Sequence, residues 1–382
     1  MKIVLSGVET NNKGAELMLY AILQEIERRY PKSTVYINSD KIKQGSSYVK
    51  TSLPIVVLKP RWIYSFVKRL HLLNLLNRLH FKVLPHTSAY VKGADFFLDG
   101  SGLHFCDQFI HDSKRVLFWE NTLRKQKKDG TRIVFLPQGF GPLDKEGTKA
   151  SICAVSKYAH LIYAREQKSY DYLQLSGIVD MEKVKVCTDF TCLVKGIFPQ
   201  QYEKLKNAVC IIPNKRMISR GNLTKEEYLS YISTIVTYVK NKGFCVYLLN
   251  HEGRGDEQLI NECKQYLSND VETVTGLNAL ETKGLIATAY IVISSRFHGV
   301  ASALNSCIPC LATSWSHKYA YLYKDYELNE LLMSIKNIGE DLKILERCLD
   351  ENVNKSIREH LNKIQPQIVQ KVNEMWEDVW KI

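Results

Sequence analysis

The chain alternates short apolar runs with longer amphipathic stretches. IVLSG from Ile3, TVYINS from Thr34, FFLDG from Phe96, IVFLPQG from Ile133, LIYAR from Leu161 and VKVCTD from Val184 are rich in β-branched or aromatic residues, and each ends on polar or glycine residues. Apolar runs of this kind read as strands buried on both faces of a parallel sheet. Between Lys13 and Arg29, the residues Leu17, Met18, Ala21, Ile22 and Ile26 fall at helical spacing behind a Gly-Val-Glu-Thr-Asn-Asn loop, so the chain opens as strand, loop and helix. The pattern restarts with VCIIPN from Val209, a predicted helix over 224–242, FCVYLLN from Phe244, VETVTG from Val271, YIVISSR from Tyr290 and CLATS from Cys310. A polar stretch with proline at its start, Phe198-Pro-Gln-Gln-Tyr-Glu-Lys-Leu-Lys, separates the two series. The pattern predicts an α/β protein of two Rossmann-like domains facing each other across a cleft. The expected division is residues 1–198, residues 207–353, and a C-terminal helix over 354–382 that can cross back to the first domain.

Composition narrows the classes. With 45% hydrophobic and 24% charged residues, the 382-residue chain is neither disordered, collagenous nor a disulfide scaffold. Lys and Arg outnumber Asp and Glu by 52 to 40, a formal charge of +12 that attracts anions: nucleic acid, an acidic membrane face or phosphorylated substrates. No nucleic-acid reader motif accompanies that charge, so nucleic acid is not an expected partner. The ten cysteines are scattered, mostly inside apolar runs, as reduced buried thiols are. Cys307-Ile-Pro-Cys310 has redox spacing but no thioredoxin-like context, so packing is expected, and no second Cys or His pair nearby completes a zinc set. MKIVLSG turns polar early and no apolar run reaches about 18 residues, so a cytoplasmic protein without a membrane span is expected.

In doubly wound sheets, ligands bind beyond the carboxyl ends of the strands. The chemistry-bearing residues there are Asn214-Lys215-Arg216, His251, Arg296-Phe297-His298-Gly299 and His317-Lys318 in the second half, and Arg165-Glu166 in the first. Each alone reads as a surface salt bridge or a capped loop. Their repetition at strand ends favours a shared anionic ligand, since Arg grips phosphate or carboxylate with two prongs. Asp99-Gly-Ser-Gly102 and Gln138-Gly-Phe-Gly-Pro142 also follow strands, but neither is a dinucleotide or Walker loop.

Taken in order, NNKGAELML, FLDGSGLHF, FLPQGFGPL, YAREQKSYDYL, CTDFTCLV and SSRFHGVASALNSCIPCLATSWSHK resemble the polysaccharide pyruvyl transferases, from about Gly7 to Lys318. The most specific element is Arg296-Phe297-His298-Gly299 with Ile308-Pro309 and Lys318. The chain departs from the family at Ala15, where Asp is frequent, at Phe190, where Pro is frequent, and at Trp315, where Tyr is frequent. The resemblance implies an enzyme of cell-surface polysaccharide assembly, exopolysaccharide or capsule, that moves the enolpyruvyl unit of phosphoenolpyruvate (PEP) onto two hydroxyls of a sugar as a ketal and releases phosphate.

PEP carries a carboxylate and a phosphate close together, which demands several cations in a small volume; Arg165, Arg296 and Lys318, with His298 and Gly299, are the implied donor-binding residues. Ketal formation needs a general acid at the enol methylene, and His298 beside Arg296 is the candidate. Glu16, Asn12, Asp99 and His251 are the candidates for orienting or deprotonating the acceptor. No metal or cofactor is called for, because arginines can balance the charge.

Residues 59–86, KPRWIYSFVKRLHLLNLLNRLHFKVLPH, interleave basic and apolar positions. Two readings stay open: amphipathic helices resting on an anionic bilayer, at the inner face of the cell membrane, or a helical excursion covering the first domain. A polyprenyl-diphosphate-linked saccharide acceptor would give membrane docking a purpose. Two other functions are compatible with a fold like that of GT-B glycosyltransferases: a glycosyltransferase using a nucleotide sugar, and a non-catalytic anion-binding scaffold of a polysaccharide assembly complex.

Overall fold

The computed structural model describes residues 1–38, 51–58, 89–221, 223–267, 271–313 and 318–382. The basic stretch at 59–86, Trp315 and His317 lie outside them. The chain forms two compact units, one of Met1–Thr10, Met18–Cys187 and Met375–Ile382, the other of Asn11–Leu17 and Thr188–Glu374.

The first unit is built on a seven-stranded sheet ordered β3-β2-β1-β4-β5-β6-β7. Its strands are β1 (Lys2–Ser6), β2 (Thr34–Asn38), β3 (Ile55–Val57), β4 (Phe96–Asp99), β5 (Arg132–Gln138), β6 (Leu161–Ala164) and β7 (Val184–Val186). All pairs are parallel, and β1 meets β4 with Ile3 opposite Phe96 and Ser6 opposite Asp99. Every residue of β4 and β6 is buried, which is why these runs lack polar alternation. Among the described residues its helices are α1 (Lys13–Arg29, of which Met18 onward belongs to this unit), α2 (Ser113–Lys128), α3 (Glu146–Tyr158) and α4 (Gln167–Leu175). Aromatic residues fill the core beside β5, with Phe105 5.1 Å from Trp119 and 5.6 Å from Phe135 between ring centroids. The chain's last residues complete this unit: Trp380 packs edge-on to Phe96 at 5.0 Å, and Tyr163 donates to Asp378 at 3.3 Å.

The second unit repeats the plan with six parallel strands ordered β10-β9-β8-β11-β12-β13. These are β8 (Val209–Ile212), β9 (Val246–Leu249), β10 (Glu272–Val274), β11 (Ile291–Ser294), β12 (Cys310–Thr313) and β13 (Leu332–Met333). Its helices are α5 (Arg216–Arg220), α6 (Lys225–Asn241), α7 (Gly253–Lys264), α8 (Ala279–Ile286), α9 (Phe297–Asn305), α10 (Lys318–Asp325), α11 (Ile338–Leu349) and α12 (Glu351–Lys381, to Glu374). Thr224 and Glu227 form a reciprocal capping box on α6, a feature worth about 1 kcal/mol.

The changeover between units falls at Cys187–Thr188, ahead of the proline-bearing stretch at Phe198. The segment after Thr188 packs on α8: Lys283 donates to the Thr191 carbonyl at 2.8 Å, and Ile197 N–H to Leu280 O at 2.9 Å. Gly196 lies so close to Gly284 that an added Cβ would fall 2.3 Å from its nitrogen. Cys307 and Cys310 are free thiols, Cys310 buried within β12.

Candidate active site in the second unit

In the second sheet the strand order reverses between β8 and β11, so the loops after these two strands diverge and leave a crevice at their carboxyl ends. Asn214 follows β8 and Ser295 follows β11. Asn214 Nδ2 donates to Ser295 O at 2.6 Å, Tyr319 OH donates to the same carbonyl at 2.8 Å, and the Tyr228 and Ser295 hydroxyls share a bond at 2.8 Å. Burial pushes the Tyr228 phenol up, so it stays a neutral hydrogen-bonding group. This lattice fixes the backbone that launches Arg296 and α9.

Arg296 is held by carboxylates. Its Nε and Nη2 donate to Asp256 Oδ2 and Oδ1, both at 2.7 Å, and Nη1 pairs with Glu252. Asp256 is fully buried and also accepts the Lys215 N–H at 3.0 Å. Burial lowers Arg296 to about 10, which leaves the guanidinium charged at neutral pH. The two-pronged grip expected to face a ligand is therefore made to Asp256, and a ligand would meet the Nη1 edge.

His298 lies in the first turn of α9. Its Nε2 is 3.4 Å from Asp189 Oδ2, an ion-pair distance, while its Nδ1 lies over Gly14, where a Cβ would fall only 2.1 Å away. Gly14 belongs to the first turn of α1. Asn12 caps that helix, its Oδ1 accepting the Gly14 N–H at 2.8 Å and the Ala15 N–H at 3.2 Å, and its Nδ2 donates to Glu252 at 2.9 Å. Lys13 pairs with the fully buried Glu16 at 3.0 Å. His251, buried just after β9, is held well below the ordinary imidazole range by burial and by the fields of Arg296, His298 and Lys13. It stays neutral and able to accept a hydrogen bond. Lys318, opening α10, places its ammonium 5.1 Å from the centre of the Phe297 ring. Gly299 has no room for a side chain, since a Cβ would fall 2.6 Å from Ser294 Oγ.

Of the residues singled out in the sequence, Asn12, Glu16, His251, Arg296, His298, Gly299 and Lys318 thus belong to the second unit. Asp99 and Arg165 belong to the first. Asp99 ends β4 fully buried, its Oδ1 accepting from Ser101 N–H and Gln138 Nε2, both at 3.2 Å, and burial raises its carboxyl above the usual range. Arg165 is buried after β6 and bonds Glu166 at 3.3 Å. Asp189, Glu252, Asp256 and Lys283 were not among the residues singled out in the sequence. The run His251-Glu-Gly-Arg-Gly-Asp256 carried a signal, two carboxylates directly after a strand. Among the described residues, no group of three or more His, Cys, Asp or Glu could hold a metal ion, and no helix is long and apolar enough to cross a membrane.

Comparisons with known proteins follow the same lines. A family model described as polysaccharide pyruvyl transferase matches residues 12–317. No curated protein matches the chain in sequence. Among solved structures, Anabaena Alr3699/HepE in complex with UDP and glucose aligns with a TM-score of 0.62 at 14% identity, over 100% of this chain and 99% of its own. UDP-GlcNAc 2-epimerase from Neisseria meningitidis, bound to UDP-GlcNAc, aligns at 0.59 and 12% identity over 100% of both chains. The Methanocaldococcus jannaschii UDP-GlcNAc 2-epimerase aligns at 0.57 and 10% identity, over 93% of this chain and 94% of its own. Likeness at such identity shows the fold alone, two parallel-sheet α/β units of the GT-B type.

Proposed function

Because the chain belongs to the polysaccharide pyruvyl transferase family, we propose that it takes PEP as donor and bridges two hydroxyls of a saccharide as a pyruvate ketal. The observation that carries the reading is the placement of Arg296-Phe297-His298-Gly299 at the reversal of strand order, with an imidazole backed by Asp189 next to a charged guanidinium. His298 delivers a proton to the enol methylene, which becomes the methyl group, and the phosphate-bearing carbon becomes an oxocarbenium centre. One sugar hydroxyl adds to that centre, phosphate leaves, and the second hydroxyl closes the ring. The two hydroxyls release two protons, one restoring His298 and one leaving with phosphate, so the step balances without cofactor or metal. Arg296 and Lys318 face the anionic groups of the donor. Asn12, Glu16 and His251 are assigned to the acceptor, a lipid-linked saccharide.

The test is incubation with PEP and polyprenyl-diphosphate-linked saccharides, followed by mass spectrometry for the gain of one pyruvyl group. His298→Gln should keep PEP binding and lower turnover on the order of 10²-fold or more. Loss of binding with normal turnover at saturation would instead make His298 a ligand to the phosphate. A second reading, a transferase or epimerase using a nucleotide sugar, draws on the shared fold of the enzymes solved with UDP or UDP-GlcNAc. UDP-sugars, and not PEP, would then raise the melting temperature.

A further inference from the structure

Asp189 is placed by its own turn. It caps a 3₁₀ turn over Phe190–Leu193, and its Oδ1 accepts both the N–H of Thr191, at 2.9 Å, and the Thr191 hydroxyl. That turn is locked from behind by the buried Lys283, whose ammonium donates to Thr191 O at 2.8 Å. Capping engages Oδ1. The other oxygen, on a residue 4% exposed, lies 3.4 Å from His298 Nε2, an ion-pair distance rather than an aligned hydrogen bond, and that nitrogen is buried with no other hydrogen-bond partner.

We propose that Asp189 is the positioning residue for His298: its carboxylate keeps the proton on Nε2 of the neutral imidazole, which makes Nδ1, over Gly14, the nitrogen that exchanges protons with the substrate. The proposal rests on the reading of His298 as general acid. In the proton-transfer step the Nδ1–H bond breaks, its electron pair stays on nitrogen, and a C–H bond forms at the methylene as the double bond's electrons move to it. The imidazole left behind is the Nε2–H tautomer, the form that a carboxylate at Nε2 favours. Gly14 suits this role, because any side chain there would collide with the working nitrogen. Neither the Gly14 nor the Ala15 amide competes for Nδ1, since Asn12 Oδ1 already engages both.

Asp189→Asn inverts the arrangement without changing its shape. Thr191's two donors pin the amide oxygen at the Oδ1 position, so the NH₂ group points at Nε2 and donates to it. The neutral ring must then carry its proton on Nδ1. Nitrogen-15 NMR of histidine-labelled protein at about pH 8.5, well above the ordinary imidazole pKa of about 6.5, reads the tautomer directly, with the His298 signals assigned from His298→Gln. The expected result is Nε2–H in the wild type and Nδ1–H in Asp189→Asn. The variant's kcat should fall on the order of 10²-fold while its KM for PEP moves less than about threefold. An unchanged tautomer overturns the proposal, as does a rise in KM at constant kcat or wild-type kcat in a variant of an active enzyme. A tautomer that swaps between wild type and Asp189→Asn as described, in a protein that transfers no pyruvyl group, overturns the proposed function and leaves the positioning of His298 standing.

Discussion

Glu252 occupies the edge of Arg296 that a ligand would use, so removing its charge should tighten the binding of a small dianion. Three of the five N–H donors of a guanidinium are engaged here, two by Asp256 and one by Glu252. Asp256 is buried and structural, whereas the Glu252 side chain is 29% exposed and also takes the Asn12 amide. An anion arriving at Nη1 must displace this carboxylate or sit beside it. Two unit charges about 6 Å apart at an effective dielectric of about 40 repel by about 1.4 kcal/mol, and solvent screening at a part-exposed site cuts this to about 1. Glu252→Gln keeps the shape and can still accept from Asn12. It should therefore lower the Kd for PEP by about fivefold, which isothermal titration would read. The gain should shrink as ionic strength rises from about 0.05 to 0.5 M, because a partly exposed charge is screened. Weaker binding in Glu252→Gln would refute the reasoning and make Glu252 a residue that orders Asn12 and Arg296 for the ligand.

Three further outcomes are expected. Arg296→Lys should lose most PEP-dependent turnover and about 3 kcal/mol of stability, measured by chemical denaturation, because an ammonium cannot reproduce the paired bonds to buried Asp256; a variant as stable as the wild type would contradict this. Burial lowers Lys283 to about 8, so between pH 8 and the unfolded value of about 10.4 the unfolded chain binds the extra proton and the stability of the wild type rises with pH. Denaturation midpoints of the wild type relative to Lys283→Met should therefore climb from pH 8 to about 10, and a pH-independent difference would exclude the ionisation. Residues 59–86 should bind anionic liposomes in a salt-sensitive way at about 1 kcal/mol per basic residue. A variant with Lys68, Arg69, Arg78 and Lys82 as Gln should sediment less, and equal sedimentation would favour a helical excursion that only covers the first domain.

The strands were legible because burial on both faces writes an unbroken apolar run, as in FFLD of β4 and IVIS of β11. Two strands left no such mark. β3 is three residues of partly exposed edge and β13 is only two residues long, so neither carries enough apolar positions to stand out. The unit boundary was misplaced for a related reason. Proline and polarity at Phe198 mark a loop, but what attaches 188–197 to the second unit is packing on Lys283 and Gly284, residues far away in sequence.

The site was half legible, and the illegible half is the one that sets its charge. Cations after strands can be read from residue type and position, whereas the carboxylates that balance them cannot: Arg296 meets Asp256 across 40 residues and Asn12 meets Glu252 across 240. The formal charge of +12 says that anions are attracted, not how the cations are held. Lys13 is paired with Glu16, and Arg296 with Asp256 and Glu252, so these cations are held in place by internal anions. A ligand then binds by exchange, and what decides its affinity is the difference between its own contacts and those it replaces. A monoanion replacing Glu252 exchanges one charged hydrogen bond for another and gains little. A ligand with two anionic groups has a second group left once the first has taken Arg296, and so can make one more charged contact than a monoanion. On the proposed function, such a site would choose its donor by the number and spacing of negative groups, as a donor carrying both carboxylate and phosphate requires.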